Sequence, residues 1–131
     1  MPEFSMASKV KLAQCDQRLQ RLFNEVIKHY DCTVLEGRRS KERQDEMYRT
    51  GRSKVQYPNS KHNEQPLSLA CDVAPYPIDW EDKKRWYFFG GFVIALAKTM
   101  GIPIRWGGDW DSDMDLGDQT FMDLPHFEIR E

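Results

Sequence analysis

The sequence predicts a single α+β domain in which about three helices flank a small mixed or antiparallel sheet. Apolar residues recur at helical spacing in two stretches, a third stretch has the end signals of a helix, and four shorter stretches alternate apolar and polar residues or are rich in β-branched ones. These stretches do not follow one another regularly enough for a doubly wound parallel sheet. A chain of 131 residues, 40% hydrophobic, is long enough for one domain with a real core and too short for two.

Three stretches are predicted to be helices from their apolar spacing and their ends. Residues Lys11–Tyr30 carry leucine, phenylalanine and valine on one helical face. Ser40 caps a second helix that ends at Gly51. Asp79 caps a third, which has acidic residues in its first turn and ends at Gly101.

Two adjacent glycines, Gly90 and Gly91, lie inside the third helix. Each costs about 1 kcal/mol there relative to alanine, so a structural reason is expected. We interpret the pair as a close backbone crossing, with a helix kink as the alternative.

The strands are predicted to divide their side chains between two faces. The four strands are Thr33–Gly37, Leu69–Ala74, Ile102–Trp106 and a final one that contains Phe127 and Ile129. Because neighbours on a strand point to opposite sides, Asp72 lies on the other face from Cys71 and Val73. By the same alternation, Phe127 and Ile129 share one face of the final strand and His126 lies on the other.

Composition excludes several classes of protein. A formal net charge of −2 gives no support to nucleic-acid binding. The uncharged run Trp86–Ala97 is shorter than the roughly 20 apolar residues of a membrane span, so we expect a buried helix and no stable membrane insertion. Three cysteines without a Cys-x-x-Cys pair predict small apolar core residues in a reducing compartment.

The start of the chain carries no secretory signal. We expect residues 1–5 to be a cloning remnant before a native start at Met6, and residues 6–131 to form the single domain. On that expectation, the first five residues are left out of the fold prediction.

Four polar side chains from distant segments are the candidate chemical site. His62, Asp72 and His126 are nitrogen and oxygen ligands of the kind that a three-ligand catalytic zinc site uses. Asp123 stands three residues before His126 and could move protons beside such a metal. The spacing alone leaves the alternative that His62 is an ordinary loop histidine and Asp72 an ordinary strand-end cap.

An acidic loop at residues 107–120 raises a second metal question. Asp109, Asp111 and Asp113 alternate as they do in a calcium loop, which predicts a possible Ca²⁺ site. The EF-hand pattern itself fails, since Met114 stands where the glycine is needed and Thr120 where the glutamate is needed. The alternative is a solvated lid over the site.

The segments around the candidate site resemble a known signature. Ser60-Lys61-His62, then Ala70-Cys71-Asp72-Val73-Ala74-Pro75, then Asp123-x-x-His126 are similar in order, residue type and flanks to the VanY-type zinc peptidases, family M15. These include D-Ala-D-Ala carboxypeptidases and phage endolysins that act as L-alanyl-D-glutamate peptidases. The resemblance runs over most of the chain and implies a hedgehog/DD-peptidase-like fold.

The resemblance also implies a role for individual residues. His62, Asp72 and His126 correspond to the zinc ligands and Asp123 to the general base. Arg38 corresponds to an arginine associated with the substrate, which suits a guanidinium that can hold a carboxylate by two hydrogen bonds. Arg39 is the weaker candidate, since neighbouring strand residues point apart.

One departure from the family concerns the first two ligands. Nine residues separate His62 from Asp72, where the family usually has six, and the intervening stretch contains Pro66 and no glycine. The connecting turn is therefore expected to be longer, which places Glu64 or Ser68 near the substrate.

The expected function follows from the resemblance. It implies a monomeric, zinc-dependent endopeptidase that cuts the L-Ala–D-Glu bond of the peptidoglycan stem peptide. Such an enzyme stays in the host cytoplasm until it is released to the cell wall. The alternatives are a D-Ala-D-Ala carboxypeptidase or dipeptidase, a non-catalytic wall-binding module, and a hedgehog-type signalling domain.

Overall fold

The computed structural model describes residues 2–118 and 122–130, and in this part of the chain it has four α-helices and one four-stranded sheet. The helices are α1 (Met6–Ala13), α2 (Gln17–Val26), α3 (Lys41–Arg49) and α4 (Lys83–Thr99). The strands are β1 (Cys32–Glu36), β2 (Ala70–Pro75), β3 (Ile104–Trp106) and β4 (His126–Ile129). The α+β class expected from the sequence is confirmed.

The sheet separates an apolar core from a polar face. Its strand order is β1-β2-β4-β3, and every neighbouring pair is antiparallel. Cys71, Val73, Phe127 and Ile129 are fully buried in the core with residues of α1, α2 and α4. The residues between them point to the other face, as strand alternation predicts.

The first predicted helix is wrong as a single element, because it is two helices. Asp16 breaks it: its carboxylate accepts a hydrogen bond from the Arg18 backbone N–H at 2.8 Å and caps α2. The Asp16 N–H bonds instead to the carbonyl of Ser68 at 2.8 Å, and the chain bridges to that segment at Cys15. The apolar periodicity continues across this break, so it gave no sign of it.

The ends of the other two helices match the sequence in part. The Ser40 hydroxyl accepts from the Arg43 N–H at 3.1 Å, as a cap does, and Gly51 has the positive φ of 79° that ends a helix. The predicted cap of the long helix was wrong by one turn, because Asp82 caps α4. Asp79 lies in the preceding turn, where its carboxylate accepts from the Glu81 N–H.

Two residues that were left out of the fold prediction belong to the fold. Phe4 is 8% exposed and joins the core cluster. The hydroxyl of Ser5 accepts from the Ser8 N–H at 3.2 Å and caps α1. Leaving them out was therefore wrong, whereas their proposed origin as a cloning remnant stays a prediction. No helix in the described ranges has the length and apolar character of a membrane span.

The two glycines of α4 have different surroundings. A Cβ at Gly90 would lie 2.2 Å from the indole ring of Trp106, whereas a Cβ at Gly91 would meet nothing within 4 Å. The expected close approach therefore exists at Gly90 alone, and it is made by a side chain, not by a second backbone. Trp106 is 2% exposed, and its indole N–H donates to the Leu124 carbonyl at 2.8 Å, so the ring has little room to move.

We expect the matched variants Gly90→Ala and Gly91→Ala to change the free energy of unfolding in opposite directions. Gly90→Ala overpacks the core against the Trp106 indole and should lower it by roughly 1–3 kcal/mol. Gly91→Ala has free space and should raise it by about 1 kcal/mol through helix propensity. Urea denaturation of both variants measures the difference. Equal effects of the two substitutions would contradict the packing of Gly90 on the ring.

Candidate metal centre and groove

A short 3-10 turn over Lys61–Asn63 presents His62 to the polar face of the sheet. The Ser60 and Asn63 side chains close a capping box at its start. The Nδ1 atom of His62 lies 2.8 Å from the carbonyl oxygen of Gly37. Because a carbonyl only accepts, Nδ1 carries the proton and donates it there, which leaves the Nε2 lone pair free for a metal.

Antiparallel pairing of β2 with β4 brings the other two candidates together. Asp72 and His126 are directly opposite each other in the register. The Nε2 atom of His126 lies 2.7 Å from Oε1 of Glu128, two residues along the same face. A carboxylate that accepts from one ring nitrogen fixes the tautomer of a metal-binding histidine, so Nδ1 of His126 is the available ligand atom.

The three ligand atoms form a nearly regular triangle. His62 Nε2 lies 3.2 Å from Asp72 Oδ1 and 3.2 Å from His126 Nδ1, and the latter two atoms are 3.5 Å apart. Bonds of about 2.0–2.1 Å to a tetrahedral zinc would place ligand atoms roughly 3.3–3.4 Å from one another. The spacing of the ligand atoms is thus one that can hold a metal ion, and all three residues are buried.

The electrostatics of the triangle favour a cation at its centre. Burial opposes the charged form of Asp72, but the imidazoles of His62 and His126 hold its pKa well below the usual value. Burial also opposes the charged form of His126, but Asp72 and Glu128 raise its pKa to about 9. Without a metal, these carboxylates favour the protonated, positively charged form of His126. A bound divalent ion would supply the positive charge instead of that proton.

Asp123 is fixed beside this centre by its backbone. Its N–H donates to the Gly107 carbonyl at 2.9 Å, and its own carbonyl accepts from the His126 N–H at 3.0 Å. A Cβ at position 107 would lie 2.0 Å from the Asp123 carbonyl oxygen, so only glycine allows this approach. Burial raises the pKa of Asp123, and the nearby charge of Asp72 adds to the effect.

Two cavities meet at Asp123. One, of about 530 Å³, contains both histidines and Glu128. The other, of about 770 Å³, contains Asp72 and more apolar side chains, and Arg52 and Asp123 line both. Trp110 lines the first cavity with its ring 5.3 Å from that of His126, whereas Trp106 belongs to the core. We call the first cavity, whose lining includes the two histidines of the triangle, the groove.

The structure gives the two candidate arginines different surroundings. The Arg38 guanidinium donates to the Pro66 carbonyl at 3.0 Å on the surface, and Arg38 is not among the described residues that line the groove. Arg39 lines the groove, is 5% exposed and lies 3.5 Å from Asp72. A bulge between Val34 and Glu36 shifts the strand register just before these residues, so simple alternation misplaced them.

The two residues that the longer turn was expected to place near the substrate do not line the groove. Ser68 is buried and donates to the Ala70 carbonyl at 2.6 Å, and Glu64 is exposed; neither lines the groove within the described residues. Glu128 was missed, although the alternation that placed His126 on the polar face places Glu128 there too. The thiols at positions 15, 32 and 71 are buried, and burial raises the pKa of Cys32 to about 12, as fits an apolar core residue.

The acidic loop brings three carboxylates together. Oxygens of Asp109, Asp111 and Asp113 lie within 4.8 Å of one another. Oδ2 of Asp109 accepts from the Met114 N–H at 2.9 Å, whereas its buried Oδ1 has no hydrogen-bond partner in the described part of the chain. Thr120 falls outside the described residues. Calcium binding here stays a prediction.

Comparison with known proteins gives matches over most of the chain. A model of the family described as phage L-alanyl-D-glutamate peptidase matches residues 2–130. The peptidoglycan L-alanyl-D-glutamate endopeptidase CwlK of Bacillus subtilis (strain 168) is 32% identical in an alignment 118 residues long, which covers 78% of this chain and 62% of that protein. The L-alanyl-D-glutamate peptidase of Escherichia phage T5 is 28% identical in an alignment 123 residues long, which covers 89% of this chain and 88% of that protein.

Solved structures give a further match. The crystal structure of the Serratia marcescens L-Ala D-Glu endopeptidase ChiX aligns with a TM-score of 0.75 and 28% identity. The alignment covers 98% of this chain and 90% of that one. The similarity therefore extends over both the sheet and the helices that carry the site.

We expect the triangle to bind one zinc ion, and Asp72→Asn to weaken that binding by about 100-fold or more, because a direct ligand charge is lost. Competition with a chromogenic chelator measures the affinity. Asp45→Asn is the matched control, since it removes an exposed aspartate of α3 that is not among the described residues lining either cavity. Equal zinc affinities for the two variants would contradict the ligand role of Asp72.

Proposed function

Because the chain belongs to the phage L-alanyl-D-glutamate peptidase family, we propose that it is a zinc-dependent endopeptidase that hydrolyses the L-Ala–D-Glu bond of the peptidoglycan stem peptide. The observation that carries the proposal is the triangle of His62, Asp72 and His126, whose two histidines line a groove that Asp123 also lines. The names of the three similar proteins support the choice of bond.

Zinc suits the donor set better than a harder cation does. Two imidazole nitrogens and one carboxylate are typical of catalytic zinc, whereas calcium and magnesium prefer oxygen ligands throughout. Bound here, zinc would supply Lewis acidity to the scissile carbonyl and lower the pKa of a water molecule. Gly37 and Glu128 hold the two imidazoles in the tautomers that this binding needs.

Asp123 is the proposed general base. Its carboxylate takes a proton from the attacking water as the new oxygen–carbon bond forms and the carbonyl carbon becomes tetrahedral. The same carboxyl group then gives that proton to the amide nitrogen as the carbon–nitrogen bond breaks, so that one water is consumed and a carboxylic acid and an amine are produced. The raised pKa of Asp123 suits a group that both accepts and donates this proton.

Arg39 is the proposed positioning residue for Asp72. Its guanidinium donates to Glu36 at 2.7 and 2.9 Å and to Gln44 at 2.9 Å, which fixes it beside the Asp72 carboxylate. A buried cation at this point favours the charged form of the ligand. Substrate binding by Arg38 stays a prediction; its guanidinium donates to the Pro66 carbonyl on the surface, and Arg38 is not among the described residues that line the groove.

The site of action proposed for the protein is the bacterial cell wall, reached by release from the host cytoplasm. Its substrate class is then the peptidoglycan stem peptide, and we expect a monomer. A D-Ala-D-Ala carboxypeptidase on the same scaffold is the alternative reaction. A wall-binding module without activity is the alternative from another class.

Digestion of purified peptidoglycan should release fragments with a new amino-terminal D-glutamate, and a chelator should stop the reaction. Mass spectrometry of the soluble fragments identifies the bond, and readdition of zinc should restore the release. Free D-alanine as the product would replace the proposed endopeptidase with the carboxypeptidase. Binding without any digestion would support the wall-binding module.

Replacing Asp123 with alanine should lower kcat by about 100- to 10,000-fold, because proton transfer loses its carboxylate. Zinc content should stay at the level of the unmodified protein, since Asp123 is not one of the three ligands. Metal analysis and turnover are measured on the same preparation, with Asp45→Asn as the charge-matched control. Loss of zinc in parallel with the rate would make Asp123 a ligand and refute its role as a base.

A further inference from the structure

The groove has an excess of cationic side chains. Three acidic residues line it, Asp111, Asp123 and Glu128, against five cations: Arg39, Arg52, Lys54, Lys61 and Arg105. An anionic substrate is therefore favoured in this cavity over a neutral one. The five cations differ in whether their charged groups are already hydrogen-bonded within the protein.

Four of the cations have partners within the described protein. Arg39 and Arg52 each donate to a glutamate carboxylate at 2.7–2.9 Å. The ammonium of Lys61 bonds to a backbone carbonyl of β4, and Lys54 also has an interaction partner. Their charged groups are held by the protein itself and are less available to a ligand.

Arg105 is different from these four. Its Nη1 atom lies 3.8 Å from Glu128, beyond hydrogen-bond distance. Its Nε is buried and has no hydrogen-bond partner among the residues that the structure describes. The Arg105 side chain as a whole is 39% exposed and lines the groove, so its guanidinium is accessible to a ligand and is not fixed by a hydrogen bond from Nε.

The sheet places this guanidinium close to the metal triangle. Arg105 is opposite Glu128 in the β3–β4 pair, and Glu128 and His126 lie on the same face of β4. Neighbouring strands are about 4.8 Å apart and alternate residues about 6.6 Å apart. Arg105 is thus one strand across from the residue that orients a metal ligand, and it lines the same groove.

We propose that Arg105 binds the free α-carboxylate of the D-glutamate and so selects the unamidated stem peptide. This assignment rests on the proposed function. A D-glutamate that is linked onward through its side chain keeps its α-carboxylate on the carbon that bears the scissile nitrogen. The planar guanidinium can hold that carboxylate by two parallel hydrogen bonds.

Two synthetic peptides isolate this contact. One is N-acetyl-L-Ala-γ-D-Glu-L-Lys-amide, in which the α-carboxylate of D-glutamate is the only carboxylate. The other has the α-carboxamide in its place. The ratio of kcat/KM for the carboxylate peptide to that for the carboxamide peptide measures the selectivity of each variant.

The unmodified zinc-loaded enzyme should prefer the carboxylate peptide by about 10- to 100-fold, the strength of a hydrogen bond between charged groups. Arg105→Gln should bring the ratio close to one, and Arg105→Lys should give an intermediate ratio, since it keeps the charge without the fork. Arg49→Gln, which removes an exposed arginine of α3 outside the groove, should keep the ratio of the unmodified enzyme.

The outcomes separate this assignment from the proposed function. Equal cleavage of the two peptides by the unmodified enzyme would overturn the role of Arg105 alone. An Arg105→Gln variant that loses rate on both peptides and keeps their ratio would also overturn it, because Arg105 would then act only as a partner of Glu128. Cleavage of neither peptide by the unmodified enzyme would overturn the proposed function and this assignment together.

Discussion

The pairing of β2 with β4 is the constraint on which the rest of the site depends. It sets Asp72 opposite His126, so a carboxylate and an imidazole that are far apart in sequence share one buried face. A charged carboxylate in that position is costly unless it has partners. Its partners here are two imidazoles and the Arg39 guanidinium, which favour the charged form of the carboxylate. A negative charge held in this position in turn favours a metal cation beside it.

The second constraint is a pair of hydrogen bonds to backbone carbonyls that orient parts of the site. The Gly37 carbonyl orients His62, and the Gly107 carbonyl holds the segment that carries Asp123. Both glycines lie just after a strand, where the chain turns into the groove. His62 and Asp123 are thus oriented by main-chain atoms at the edge of the sheet, which is a more rigid support than a loop.

Much of this could be predicted from the sequence, because strand alternation is a strong local signal. It placed Asp72 and His126 on the polar face and would have placed Glu128 there too. It does not extend to the two arginines that follow the bulge in β1, of which Arg39 lines the groove and Arg38 lies on the surface. The break at Asp16 was missed for a similar reason, since it depends on a bond to Ser68 that no helical periodicity reveals.

The packing of Trp106 has a consequence for how this protein can change. Its indole fills the space above Gly90 in α4 and, at the same time, donates to the Leu124 carbonyl next to Asp123. Positions 90 and 106 therefore share one volume, and a larger residue at the first is tolerated only with a smaller ring at the second. Replacing Trp106 would also remove its hydrogen bond to the Leu124 carbonyl, so a change at Gly90 in α4 is coupled to the backbone next to Asp123.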